Sequence, residues 1–260
     1  MQPKVSVIIP TYNVEDYIDE CISSILNQTY TNFEIVICDD CSTDETVVRL
    51  QKYASLPNVT ILSNKENLKQ ATTRNKCINA CKGEYVLIQD ADDISESDRM
   101  EVLVNSLEED IDFVGSSCYC FNPLDGKFEN LIMKNEYPMA KDLLWGIPFV
   151  HASILFRKVC LTNIGGYRST KYTKRCEDYD LIMRLYAAGY RGKNIKNVLY
   201  GYRVDDKTIS RRSFDTRLDE CVIRYEGFKG NNILLPLGWI YIFKPILAHF
   251  YQMIKYRNLL

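Results

Sequence analysis

Tyr85-Val-Leu-Ile-Gln-Asp90-Ala-Asp92-Asp93 is an apolar run that stops abruptly at three carboxylates. A short apolar run bounded by polar residues fits a buried strand, and the acids fall where that strand would leave its sheet. Three acids within four residues repel one another unless a cation lies among them. Hard oxygen ligands of this kind suit Mg²⁺ or Mn²⁺, and a divalent ion so held commonly grips a diphosphate. The plainer reading is a solvated acidic turn before a helix near Asp98.

Working back toward the N-terminus, the same grammar repeats. Val5-Ser-Val-Ile-Ile9 is a continuous apolar run ended by Pro10, and Phe33-Glu-Ile-Val-Ile37 and Val59-Thr-Ile-Leu62 are two more strand-like segments. Between them, Val14, Ile18, Ile22 and Ile25 recur at helical spacing, and Ala71 to Ala80 reads as a further helix. Ser42, three residues before Glu45, has the form of a capping box that opens another. Strand-helix alternation predicts an α/β fold with a doubly wound, mostly parallel sheet. In such sheets ligands bind outside the carboxyl ends of the strands. Each predicted strand ends in polar chemistry: Thr11, Tyr12 and Asn13; Asp39 and Asp40; Asn64 and Lys65; Asp90, Asp92 and Asp93. Four such ends in succession make a binding edge. GxGxxG is absent after the first strand, which argues against a dinucleotide-binding domain.

The second half is less regular. Asp112 to Phe121 and Ala152 to Arg157 read as strands, Gly165-Gly166 breaks the chain, and Cys176-Glu-Asp-Tyr-Asp180 leads into a helix that ends near Gly189. At 260 residues the chain can bury a sizeable core. A net charge of -2 argues against a nucleic-acid partner. Ten cysteines with no export signal after Met1 fit free thiols in a reducing compartment. Cys38-Asp-Asp-Cys41 has CxxC form but lacks a second ligand pair at zinc spacing.

Ile233 to Ile254 is apolar and aromatic, interrupted at Lys244 and Pro245, and no acid follows Glu226. The run before Lys244 is too short to span a bilayer comfortably. Trp239, the tyrosines and the basic residues fit a segment lying on an anionic leaflet. A helix packed on the core, or on a second copy in a homodimer, is the competing reading.

Five motifs in order, Val7-Ile-Ile-Pro-Thr-Tyr-Asn13, Cys38-Asp-Asp-Cys-Ser-Thr-Asp44, Thr73-Arg-Asn75, Gly83 to Asp93 and Cys176-Glu-Asp-Tyr-Asp-Leu181, resemble an inverting family-two glycosyltransferase of the GT-A fold. The resemblance covers about residues 5–210 and is nearest to bacterial enzymes that extend undecaprenyl-diphosphate sugars in O-antigen or capsule assembly. It implies a GT-A domain over 1–210, with a nucleotide-binding half (1–115) and an acceptor-binding half (116–210); the tail over 211–260 lies beyond it and is read from its composition as helical, with membrane-interfacial contact or packing on the core as its two readings. It implies a UDP-sugar donor and Mn²⁺ or Mg²⁺. Thr11 and Asp39 would hold the uracil, Asp40 would support their loop, and Arg74 would face the nucleotide or its diphosphate. Asp90 would contact the ribose, Asp92 would bind the metal, and Asp93 would sit near the metal or the acceptor. Asp178 would be the catalytic base, with Glu177 second in line. His151 falls at an acceptor-side position, and Arg203, Arg211 and Arg212 are candidate diphosphate contacts.

Two departures stand out: Leu68 occupies a position where the family usually has Gly, and Arg203-Val-Asp205 replaces Arg-x-His. The expected reaction moves glucose or galactose to a lipid-linked GlcNAc or GalNAc diphosphate with a β linkage, at the cytoplasmic face of the membrane. The competing functions are a nucleotide-sugar binder without turnover, a transferase with another donor and a non-lipid acceptor, and a phosphohydrolase or nucleotidyltransferase. The phosphohydrolase would want a His-rich metal set, which His151 and His249 cannot supply alone.

Overall fold

The structure is a computed structural model that describes residues 2–122, 128–204, 213–236 and 238–257. The described residues fall into two compact units, one within 1–138, 149–166 and 191–205, the other within 139–148, 167–190 and 206–260. Arg211, Arg212 and Asp205 lie outside the described residues.

The first unit holds nine described strands: β1 (Val5–Thr11), β2 (Phe33–Asp39), β3 (Val59–Ser63), β4 (Tyr85–Ile88), β5 (Ile94–Ser95), β6 (Phe113–Phe121), β7 (Phe128–Ile132), β8 (Leu155–Arg157) and β9 (Gly192–Arg203). They form one sheet in the order β3-β2-β1-β4-β8-β6-β9-β5, with β7 on β6. Its helices are α1 (Ile18–Leu26), α2 (Thr46–Gln51), α3 (Lys69–Ala80), α4 (Arg99–Asn105) and α5 (Lys158–Asn163). The run β3-β2-β1-β4 is parallel, as the alternation predicts. Beyond β4 the direction reverses: β8 is antiparallel to both β4 and β6, whereas β9 runs parallel to β6. The side chains explain the order. Val5, Val7 and Ile9 join Ile18, Ile22 and Ile25 of α1 in one core, while α3 packs on β1 and β2. Ile8 and Ile9 are wholly buried, so truncating either to Ala would cost about 2–5 kcal/mol.

Three local expectations change. β1 continues through Pro10 to Thr11, because the last β1–β4 pair is Ile8–Ile88 and a proline beyond it faces only one neighbouring strand. The first helix begins at Ile18, not Val14: Asn13 takes φ +51°, and the Val14 amide donates to Thr46 Oγ1. The capping box at Ser42 does not form. Ser42 Oγ donates to Asp39 Oδ1 (2.5 Å) and accepts from the Asn13 amide (3.0 Å), so α2 starts later, at Thr46.

β9 carries no clean alternation in sequence and was not anticipated. Its pairing with β6 shifts register around Ser116–Cys118, a bulge that lets it bend.

The second unit is helical, with α6 (Glu177–Ala187), α7 (Phe214–Gly230), α8 (Gly238–Tyr241) and α9 (Lys244–Arg257), preceded by a 3₁₀ turn at Ala140–Trp145. α7 packs against α6 and α9. The tail therefore rests on its own unit through one side. Trp239, Phe243, Leu247 and Phe250 nevertheless remain exposed. Among the described residues, no helix is long and apolar enough to cross a membrane.

Candidate functional site

Three parallel strands deliver their carboxyl ends to the same edge, since Thr11 pairs with Asp39 and Asp39 with Ser63. Thr11 and Asp39 are both buried, and the Thr11 hydroxyl lies 3.4 Å from Asp39 Oδ1. Asp39 is fixed from its other side by the Ser42 amide (3.0 Å) and hydroxyl. Asn13 ties the two loops together: its Oδ1 accepts from the Thr43 amide at 2.8 Å. The left-handed turn at Asn13 suits an Asn, which tolerates that backbone better than most residues.

Asp40 is buried and braces the loop that follows β3. Its Oδ1 accepts from Asn64 Nδ2 (2.8 Å) and the Leu68 amide (2.8 Å), and its Oδ2 from the Lys69 amide (2.9 Å). This clamp also explains the missing glycine. Leu68 keeps φ -86°, while the left-handed position falls on Lys69 at φ +69°. The turn thus moves its strained residue one place along and holds it with a buried carboxylate.

The acids after β4 fall into distinct environments. Asp90 accepts from Arg74 Nη2 at 2.8 Å, and Arg74 is almost wholly buried on α3. Asp92 is half-buried, and its carbonyl accepts from Arg203 Nε at 2.6 Å. Asp93 turns inward: Oδ2 accepts from the Tyr200 hydroxyl and Oδ1 from the Arg203 amide, both at 2.7 Å. Burial, then the Asp92 and Asp90 charges, pushes the Asp93 carboxyl well above the usual carboxylate range. A divalent cation fits this donor set, because clustered hard oxygens in mutual repulsion are what such an ion neutralises. Among the described residues no three His, Cys, Asp or Glu side chains are placed to hold an ion by themselves. A cation here would draw other ligands from a bound phosphate and from water, as Mg²⁺ usually does.

Behind Asp93 lies a network that the sequence did not announce. Arg99 is completely buried and donates to Gln89 Oε1 (2.7 Å), Ser95 Oγ (2.7 Å) and the Ile88 and Ala152 carbonyls (2.8 Å each). Its guanidinium lies over the Tyr200 ring at 4.6 Å. Gln89 Nε2 in turn donates to the Asp90 and Asp93 carbonyls. The acid turn is therefore gripped from below by one buried cation and its relays.

Arg203 is buried. Its guanidinium sits 4.7 Å from both the Tyr17 and Phe121 ring centroids, is paired with Glu20, and holds the Asp92 carbonyl. It is engaged inside the protein as a brace for the acid turn, so a phosphate contact would require it to abandon these partners. His151 is also buried, and burial followed by the Arg74 charge holds its imidazole well below its ordinary value. It is a neutral neighbour of Arg74.

In the second unit, Glu177, Asp178 and Asp180 occupy the first turn of α6, where the helix dipole favours negative charge. Asp180 is buried and accepts from Arg168 Nε (3.0 Å) and Arg184 Nε (2.8 Å). Asp178 and Glu177 are only half-buried. Asp178 lines a cavity of about 240 Å³ together with Trp145, Arg217, Glu220, Arg224 and Lys244. A partly accessible carboxylate at such a place can accept a proton from a bound hydroxyl.

The residues that sequence reasoning missed are Tyr200, Arg99, Gln89 and the cavity-lining cations. Tyr200 stands 107 residues from Asp93. The β5–β9 pairing, with Ile94 opposite Gly201, brings its strand to the acid turn.

Residues 6–163 match the model of a family described as glycosyl transferase family 2. The chain is 36% identical over 255 residues to the putative glycosyltransferase EpsE of Bacillus subtilis (strain 168), covering 95% of this chain and 90% of that protein. It is 26% identical to the UDP-Glc:alpha-D-GlcNAc-diphosphoundecaprenol beta-1,3-glucosyltransferase WfaP of Escherichia coli, over 98% of each chain. In fold it is similar to residues 1–349 of S. aureus TarS, solved in complex with UDP-GlcNAc. The TM-score is 0.74 at 22% identity, over 93% of this chain and 73% of that one.

Proposed function

The chain belongs to glycosyl transferase family 2 and has a GT-A type fold, and on that premise we propose that this glycosyltransferase moves a hexose from a UDP-sugar to a lipid-linked acceptor with inversion. Glucose or galactose is the favoured hexose, GlcNAc- or GalNAc-diphosphate-undecaprenol the acceptor, and a β linkage the product, within O-antigen or capsule assembly. The observation that carries this reading is the strand-end edge, where Thr11 and Asp39 face one another beside a clustered set of carboxylates at Asp90, Asp92 and Asp93. Support for the acceptor comes from WfaP, whose name specifies a sugar-diphosphoundecaprenol substrate and which aligns over nearly the whole chain.

Each residue then has a task. Thr11 and Asp39 receive the uracil, and Asp40 keeps their loop in shape. Arg74 pairs with Asp90 and steadies it toward the ribose. Asp92 would hold Mn²⁺ or Mg²⁺, which would supply positive charge to the donor diphosphate, and Asp93 anchors that turn from beneath. A divalent ion held there would neutralise charge on the departing diphosphate. Asp178 takes the proton from the acceptor hydroxyl, and a carboxylate in that role typically contributes about 10²–10⁴-fold. Inversion in one displacement requires no covalent intermediate, so no Ser or Cys nucleophile is needed.

The exposed aromatic and aliphatic side chains of α8 and α9, with Lys244, Lys255 and Arg257 near them in sequence, fit contact with an anionic leaflet at the cytoplasmic face. The test is UDP release by the purified protein with Mn²⁺, across UDP-hexoses, with GlcNAc- and GalNAc-diphosphate lipids. Acceptor-dependent release with one donor, lost on chelation, is the expected result. Turnover only on soluble oligosaccharides would overturn the lipid-linked acceptor.

A further inference from the structure

The cavity of the second unit has a composition that the proton-accepting role of Asp178 does not account for. It measures about 240 Å³, below the roughly 300–1,000 Å³ of clefts for drug-sized ligands, and so is scaled to a single sugar phosphate. Its charged lining comprises Asp178, Glu220, Arg217, Arg224 and Lys244. Arg224 and Glu220 pair with each other at 3.0 Å, and Arg224 also donates to the Leu144 and Tyr241 carbonyls. That buried pair cancels its own charge and ties α7 to the 3₁₀ turn and α8. Apart from it, the lining carries two cations, Arg217 and Lys244, against one carboxylate, Asp178.

Lys244 Nζ donates to the Trp145 carbonyl and lies 5.3 Å from the Trp145 ring centroid. Burial, and then the nearby Arg224 charge, lowers the Lys244 pKa below its ordinary value. A bound anion would relieve that repulsion. Trp145 is 64% exposed and is braced edge-on by Tyr241 at 4.9 Å. An exposed, braced indole beside a cavity gives the apolar C–H face of a pyranose a flat surface to rest on.

We propose that this cavity seats the glycosyl phosphate of the acceptor, with Arg217 and Lys244 on the phosphate, Trp145 against the sugar ring and Asp178 at the hydroxyl. The proposal rests on the lipid-linked acceptor reading above and adds to it that α7 and α9 carry acceptor specificity. Arg217 supplies a planar fork for phosphate oxygens, and Lys244 a compact point charge. The tail helices then recognise the group by which the sugar is attached to its carrier.

The chain has two tryptophans, so Trp239→Phe leaves Trp145 as sole reporter. In that background Trp145 emission is titrated with three probes: a short-alkyl-diphosphate-linked GlcNAc, the neutral alkyl glycoside of GlcNAc, and free GlcNAc 1-phosphate. The diphosphate-linked probe is expected to bind at least about tenfold tighter than the neutral one, as charge-assisted hydrogen bonds provide. Arg217→Ala and Lys244→Ala should each cost about that tenfold for the phosphorylated probes and nothing for the glycoside. Arg217→Lys and Lys244→Arg should restore most of it, which a merely misfolded variant would not do. Comparable binding of the free phosphate identifies the glycosyl phosphate itself as the recognised group; preference for the alkyl form adds the carrier chain to it. Equal affinity of the parent protein for charged and neutral probes overturns the seat. Turnover on the diphosphate-linked acceptor with KM unmoved in both Ala variants also overturns it, while leaving the lipid-linked reading intact. Charge-dependent binding without turnover on any lipid-linked acceptor does the reverse.

Discussion

The acid turn after β4 and the acid-rich start of α6 solve the same problem in different surroundings. Each places several carboxylates within four residues, and each divides them into an anchor and a presented acid. In the turn, Asp93 is buried against Tyr200 and the Arg203 amide, while Asp92 stays half-buried. In the helix, Asp180 is buried against Arg168 and Arg184, while Asp178 stays half-buried beside a cavity. The anchors differ in what satisfies them. Asp180 has two guanidinium partners and lies in the first turn of its helix, where the dipole favours negative charge. Asp93 has a phenol, an amide and two acidic neighbours, and burial followed by those neighbours pushes its carboxyl well above the usual carboxylate range. The donor set of the turn therefore suits a divalent cation in a way that the start of α6 does not.

The largest effect should follow from removing the presented acid of the turn. Asp92→Ala is expected to abolish Mn²⁺-dependent UDP release, a loss of several kcal/mol in transition-state stabilisation, with unfolding stability within about 0.5 kcal/mol of the parent. Undiminished turnover would dissolve the distinction between Asp92 and Asp93. The corresponding change in the helix, Asp178→Asn, should slow transfer about 10²–10⁴-fold and leave UDP-sugar affinity, read by calorimetry, unchanged.

The anchors should respond in stability instead. Asp180→Ala strands two arginines and should cost about 3 kcal/mol in urea unfolding, toward the low end for a broken buried pair because Arg168 is partly exposed. Tyr200→Phe leaves the buried Asp93 short of a donor and should cost about 1–3 kcal/mol; no loss would mean that Asp93 is not an anchor.

The smallest effect concerns His151. Its folded pKa lies below the ordinary 6.5. As pH falls through that value, the unfolded chain takes up a proton that the folded protein refuses, so stability is present above it and declines below. The decline should approach about 1.4 kcal/mol per pH unit, and His151→Gln should flatten it. An unchanged slope would show that the imidazole is solvated.

Legibility in sequence tracked the range of the interaction. β1 to β4 were read nearly to the residue, because each buries an apolar run between layers and the run itself is the signal. Ser42 was misread as a cap because its true partners, Asn13 and Asp39, belong to a different loop and an earlier strand end. The packing of Arg203 is not legible in sequence because its aromatic brackets, Tyr17 and Phe121, lie far apart in the chain. The tail was legible as apolar and basic, but not as the wall of a cavity. Lys244 gains that place only by folding next to Trp145, 99 residues away.

By itself the sequence determined the parallel strand-helix half, the polar carboxyl edge and the identity of the acids that cluster there, since these follow from local patterning and the alternation of elements. The tertiary structure alone decided which acid of each cluster is buried and which is presented. That choice depends on donors brought from distant strands and helices, and on the unequal desolvation of neighbouring carboxylates.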